Sequence, residues 1–107
     1  MEREKYLYLT TLGRKTGKPR EIEIWFVPYA SRFYVIAEYA TSNWVRNASA
    51  NPAVSVRVLA SVFPAQARLV DAGTEADLVT HIEELFRAKY GWGEGQIVEI
   101  TPEMPRT

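Results

Sequence analysis

Tyr6-Leu7-Tyr8-Leu9-Thr10-Thr11, followed by Leu12-Gly13-Arg14-Lys15-Thr16-Gly17-Lys18-Pro19 and then Arg20-Glu21-Ile22-Glu23-Ile24-Trp25-Phe26-Val27, reads as strand, turn and strand. The first block is dense in tyrosine and threonine, which suit a pleated, half-buried surface. Two glycines and a proline interrupt it and make the middle block a hairpin loop. Beyond the loop the pattern alternates. Ile22, Ile24 and Phe26 face one way, and Glu21, Glu23, Trp25 and Val27 face the other. One strand is expected from Arg20 to Tyr29, weakened near its end by Pro28.

Outward from this hairpin, a tight turn at Ala30-Ser31-Arg32 leads to a third strand, Phe33 to Ala37. Trp44, Val45 and Ala48 fall at helical spacing behind possible caps Ser42 and Asn43, so a short helix is predicted over about 43–50, ended by Asn51-Pro52. Val54, Val56 and Val58 alternate with Ser55 and Arg57, a fourth strand. Pro64 separates it from a fifth, Ala65 to Val70. Thr74-Glu75-Ala76-Asp77 resembles a capping box and opens a longer helix over about 74–90, with Leu78, Ile82, Leu85 and Phe86 as its apolar stripe and Gly91 as its stop. Gln96 to Thr101 is the last strand. The expectation is a mostly β fold: six antiparallel strands closed into a small barrel, which removes exposed edges, with two helices.

At 107 residues the chain is expected to form a single domain, 1–107. Hydrophobic residues make up 47% and charged residues 24%, a globular composition. Thirteen bases balance thirteen acids, so no global field draws the molecule to nucleic acid or membrane. Without cysteine there is no disulfide, thiolate metal site or cysteine nucleophile, and one histidine, His81, rules out a His-cluster metal site. His81 falls off the apolar stripe and reads as a helix-surface residue. The start, Met1 to Lys5, shows no signal peptide, and no stretch is long and apolar enough to span a bilayer, so a cytoplasmic protein is expected.

The charge is nonetheless uneven. Arg14, Lys15, Lys18 and Arg20 crowd the first hairpin with no acid among them. Four long cations on a glycine-containing turn can converge on a phosphate or carboxylate, and backbone N–H groups near glycines can approach the same anion. The loop is not a Walker loop, because its glycines are too close and Pro19 stands where a magnesium-binding hydroxyl belongs. A solvated turn is the plain alternative. A polyanion-binding barrel is another, but single-strand binders interleave stacking aromatics with their cations and Gly13 to Arg20 contains none. Glu21 and Glu23 share a strand face and could pair with a neighbouring subunit's cations. Trp25, opposite the Ile22-Ile24-Phe26 face, needs a bound ring, a second subunit or the long helix as its partner.

Leu9 to Arg20 closely resembles the "L-T-T-x-G-R-K-[ST]-G-x-P-R" signature of the deazaflavin-dependent nitroreductase and quinone reductase family, and Trp44 to Val54 is similar to its "W-x-x-N-[LA]-x-A-N-P-x-V" segment. The resemblance implies a split β-barrel, usually a homodimer, that binds coenzyme F-420 or, in sister families, FMN. It implies an oxidoreductase transferring hydride to a small quinone or nitro-type acceptor. The alternatives are an FMN-binding protein of the pyridoxamine-phosphate-oxidase-like type and a non-catalytic cofactor carrier. It places Arg14, Lys15, Thr16, Lys18 and Arg20 on the cofactor's phosphate and acidic tail, and Ala37-Glu38-Tyr39 beside the tricyclic ring. Arg46, in the second matching segment, and Arg57, a strand cation of the kind that holds FMN phosphate, are further cofactor candidates. Tyr90 is the nearest equivalent of the family's substrate-side tyrosine. The chain departs from the family at Glu38-Tyr39-Ala40, where a small or basic stretch is usual, and at Lys89 to Glu94, ahead of the last strand.

Overall fold

In the computed structural model, residues 4–103 are described; the reading of the start at Met1 to Arg3 lies outside them. Seven strands and two helices follow in the order β1 (Tyr6–Leu12), β2 (Pro19–Trp25), β3 (Val27–Tyr29), β4 (Arg32–Ala37), α1 (Asn43–Ala50), β5 (Ala53–Val58), β6 (Ser61–Leu69), α2 (Ala76–Tyr90) and β7 (Gln96–Pro102). They make one antiparallel sheet with the spatial order β2-β1-β5-β6-β7-β4-β3. The two ends of this order, β2 and β3, are joined by the single residue Phe26. One residue cannot bridge the opposite edges of a flat sheet, so the sheet curls until they meet. Chain connectivity, in place of a ladder of hydrogen bonds, draws the half-barrel together.

This corrects the expected six strands to seven. The predicted Arg20–Tyr29 strand divides at Phe26, whose two sides pair with different partners: Trp25 opposes Tyr6, and Val27 opposes Tyr34. Alternation still holds through the break. Ile22, Ile24 and Phe26 face the barrel interior with Leu7, Leu9, Val35, Val56 and Ile100. Trp25 and Val27 face a second core, where Tyr34, Ile36 and Ile97 meet Ile82 and Phe86 of α2. β4 and β7 are buried on both faces because α2 covers their outer side. Trp44 and Ala48 place α1 against the interior core.

Three local expectations also change. Pro64 does not separate strands; it sits inside β6, opposite Ser55. Its carbonyl accepts the Glu103 N–H at 2.9 Å, past the last β6–β7 pair at Ala65 and Pro102. The missing N–H lies on that same side, at the end of the β6–β7 ladder. The longer helix starts at Ala76, with Glu75 as its N-cap, and the capping box does not form. Ser42 caps α1 by backbone position, while its hydroxyl donates to the Tyr39 carbonyl at 2.8 Å. Gly91 ends α2 in the left-handed conformation, φ 77°, as its position predicts.

Candidate functional site

The loop between β1 and β2 is folded back on itself. Gly13 N–H donates to Lys18 O and Gly17 N–H to Gly13 O, both at 2.8 Å. Gly17 adopts φ +70°, which an L side chain rarely takes. Thr16 Oγ1 accepts the Lys18 N–H at 3.2 Å, and a Cβ at Gly13 would lie 2.8 Å from that hydroxyl. The threonine and both glycines are therefore conditions of the turn. Their result is a rim that carries Arg14, Lys15, Lys18 and Arg20.

Beneath the rim is a cleft of about 250 Å³, lined by Gly13, Arg14, Lys15, Thr16 and Arg20 from the hairpin and by Asn43 and Asn47 from α1. Asn47 Oδ1 accepts from Arg14 twice, from the backbone N–H at 3.2 Å and from Nη1 at 2.8 Å. Among the described residues, no carboxylate forms an ion pair with Arg14, Lys15 or Arg20. Three cations around one small concavity repel one another, and in a stability-driven surface they would be paired or dispersed. An anion resolves the repulsion. The donor set fits a phosphate or carboxylate group, because guanidinium forks, an ammonium, a hydroxyl and amide groups all bind such oxygens. The first residue of α1 also lines the cleft, which puts the positive end of that helix at the same place.

Of the ten residues expected on or beside the cofactor, the cleft brings together four: Arg14, Lys15, Thr16 and Arg20. Lys18 is exposed on the loop outside the lining. Arg46 is exposed on α1 beside Asn47, also outside it. Ala37 ends β4, buried and paired with Gln96, and a Cβ at Gly95 would collide with its carbonyl oxygen. Glu38 and Tyr39 follow it, both exposed. The Tyr39 carbonyl accepts the Ser42 N–H at 3.1 Å, so this segment is tied to the end of α1 that enters the cleft.

Arg57 belongs elsewhere. Its guanidinium lies 4.0 Å from the centre of the Tyr8 ring and 3.5 Å from both Glu21 carboxylate oxygens, on the outer face of β1, β2 and β5. Glu23 accepts from the Tyr8 hydroxyl at 2.7 Å, so both glutamates have partners within their own chain. That bond, chiefly, raises the Tyr8 pKa, since ionising the phenol would set two anions together.

Tyr90 lies outside the cleft lining. Its hydroxyl accepts the Phe26 N–H at 3.0 Å and lies 2.7 Å from Phe26 O and 2.8 Å from Lys5 O, the two acceptors for its single proton. Its ring stacks on Trp25, with centroids 4.4 Å apart and planes 3° from parallel. Burial pushes its pKa up. A hydroxyl committed to the backbone at the sheet's closing residue is a structural tie, and Trp25 has its partner in Tyr90 and Trp92. His81 is exposed, its ring 4.5 Å from that of Tyr29.

Asn43 and Asn47 are the cleft-lining residues that sequence reasoning does not single out. Asn47 occupies the asparagine of the "W-x-x-N" segment, so the motif contained the signal, but the neighbouring charge at Arg46 drew the assignment.

A family model described as F420H(2)-dependent quinone reductase matches residues 1–96. A search of curated proteins gave no match. Among solved structures, the chain is similar to an F420-H2 dependent reductase at 25% identity, covering 94% of this chain and 95% of that one, with a TM-score of 0.71. It shares its fold with a putative pyridoxamine 5'-phosphate oxidase from Listeria innocua at 18% identity, 98% and 89% coverage and a TM-score of 0.75. The same holds for the heme storage protein HutZ from Vibrio cholerae, at 20% identity, 96% and 84% coverage and a TM-score of 0.73.

Proposed function

The chain belongs to the F420H(2)-dependent quinone reductase family, a family of oxidoreductases, and on that premise we propose that it transfers hydride between bound coenzyme F-420 and a small quinone or nitro-type acceptor. The observation that carries this reading is the cleft, where Arg14, Lys15 and Arg20 have no acidic partner among the described residues. A deazaflavin supplies the hydride chemistry itself when bound. The protein's part is to grip the anionic tail with Arg14, Lys15, Thr16 and Arg20, to orient it through α1, and to keep water from the reacting atoms.

At about 250 Å³ the cleft is smaller than the range usual for whole small-molecule sites and suits the anionic handle. In this reading the tricyclic ring lies beyond the rim, toward Ala37-Glu38-Tyr39. A homodimer in the cytoplasm, each copy acting as one split-barrel unit, is part of the same proposal. It is supported by the exposed Leu59, Val62 and Tyr39, which are 57%, 66% and 65% accessible in the single chain.

The test is a side-by-side titration with F-420 and FMN, followed by Arg14→Ala, Lys18→Ala and Arg20→Ala variants. A charge-assisted hydrogen bond of about 1.5–3 kcal/mol corresponds to roughly ten- to hundredfold in affinity. Arg14→Ala and Arg20→Ala are expected to lose that much F-420 binding, and Lys18→Ala less, since Lys18 is outside the cleft. Equal F-420 affinity in all three variants and the wild type would refute the cleft as the cofactor site. Tighter binding of FMN than of F-420 would change the cofactor.

A further inference from the structure

We infer that Asn47 is a positioning residue for Arg14, and that it joins α1 to the β1–β2 loop so that the anion cleft is formed before a ligand arrives. One side-chain oxygen of a residue only 5% exposed receives both an N–H of the Arg14 backbone, at 3.2 Å, and its Nη1, at 2.8 Å. Two donors fix the amide's orientation, because turning it over would set an NH2 group against them. A free arginine on a loop loses rotamer freedom when it meets an anion. Here part of that ordering is built into the fold, and the remaining guanidinium N–H groups are left for the ligand.

The choice of side chain matters. An aspartate at this position would hold Arg14 equally well and cancel its charge. Asparagine grips without neutralising, which is what an anion site needs and a surface ion pair does not.

The inference rests on the reading of the cleft as an anion site, so its first test uses no ligand. In hydrogen exchange on the free protein, Asn47→Ala is expected to speed exchange of the Arg14 amide about tenfold or more, whereas Asn47→Asp keeps it protected. The second test titrates inorganic pyrophosphate into wild type, Asn47→Ala, Arg14→Ala and the double variant. Asn47→Ala should weaken binding about tenfold, and the double variant should bind no more weakly than Arg14→Ala alone. A residue that met the anion independently of Arg14 would add its own loss to that of Arg14→Ala. Additive losses, or unchanged Arg14 exchange in folded Asn47→Ala, overturn the inference.

Should Asn47→Ala not fold, the near-isosteric Asn47→Asp decides: pyrophosphate binding about tenfold weaker with the Arg14 amide still protected supports the inference, and wild-type affinity overturns it. If the wild type binds no pyrophosphate while the Arg14 amide behaves as expected, the clamp stands and the reading of the cleft as an anion site falls.

Discussion

The Tyr90 hydroxyl and the Thr11 hydroxyl are two polar groups with opposite fates. Tyr90 satisfies the backbone of Phe26 and reaches the Lys5 carbonyl. Removing it orphans a backbone N–H in a half-buried setting. Tyr90→Phe is therefore expected to cost about 1–3 kcal/mol of stability, measured by urea denaturation, with kcat/KM for acceptor reduction unchanged. A large loss of kcat/KM in a still-folded Tyr90→Phe would restore its expected catalytic role. Thr11 is fully buried, and among the described residues its Oγ1 is a buried side-chain polar atom with no hydrogen-bond partner. Replacing a buried, unpaired hydroxyl by a methyl removes a desolvation penalty, so Thr11→Val should stabilise by about 1 kcal/mol. An unchanged or lower melting temperature would contradict that.

At the scale of elements, the start of α2 is anchored by charge in place of a capping box. Arg68 on β6 donates to Glu75, the helix N-cap, at 2.8 and 2.9 Å and to Glu99 on β7 at 3.1 Å; Glu99 in turn accepts from the Tyr34 hydroxyl at 2.7 Å. The Arg68 bond holds the Glu75 pKa below its ordinary 4.5. For Glu99, burial pushes upward, but the bonds from Arg68 and Tyr34 outweigh it and the net shift is downward. Burial first, then the Glu99 bond, raises the Tyr34 pKa to about 12.

Both carboxylates bind protons more weakly folded than unfolded. Their contribution to stability is complete above the unfolded value near 4.5 and disappears as pH falls through the lower folded values. The melting temperature is expected to drop on acidification below about pH 4.5, and by less in Glu75→Gln. Identical acid profiles for Glu75→Gln and wild type would exclude Glu75 from this linkage. Tyr34 acts at the other end: its contribution is present below pH 10 and lost as pH rises toward about 12.

For the whole molecule, the decisive feature is that the two outermost strands of the sheet are consecutive in the chain. Phe26 joins them, its side chain fully buried in the interior core and its backbone held by Tyr90 and by Lys89 Nζ, which donates to its carbonyl at 2.9 Å. The residue serves the interior core through its ring and the α2 side through its backbone. Phe26→Ala should cost about 3–5 kcal/mol, the range for deleting a buried aromatic ring, seen as a fall in the urea midpoint. A loss below 1 kcal/mol would mean that the sheet's closure does not depend on packing at this residue.

The sequence by itself determined the hairpin, the four cations upon it, the two-residue alternation through Phe26, both helices to within a few residues, and the family. Those features are local, resting on a period of two or 3.6 and on turn residues whose backbone preferences need no distant partner. Tertiary structure alone decided the division at Phe26, the place of Pro64 inside β6, and the separation of Arg57 from Arg14 and Arg20. It also decided that Tyr90 holds the frame and that Asn47, 33 positions along the chain, completes the cation rim. Each of these depends on which strand or helix lies opposite. Pairing across a curled sheet is set by how the whole chain closes, which no window of neighbouring residues contains.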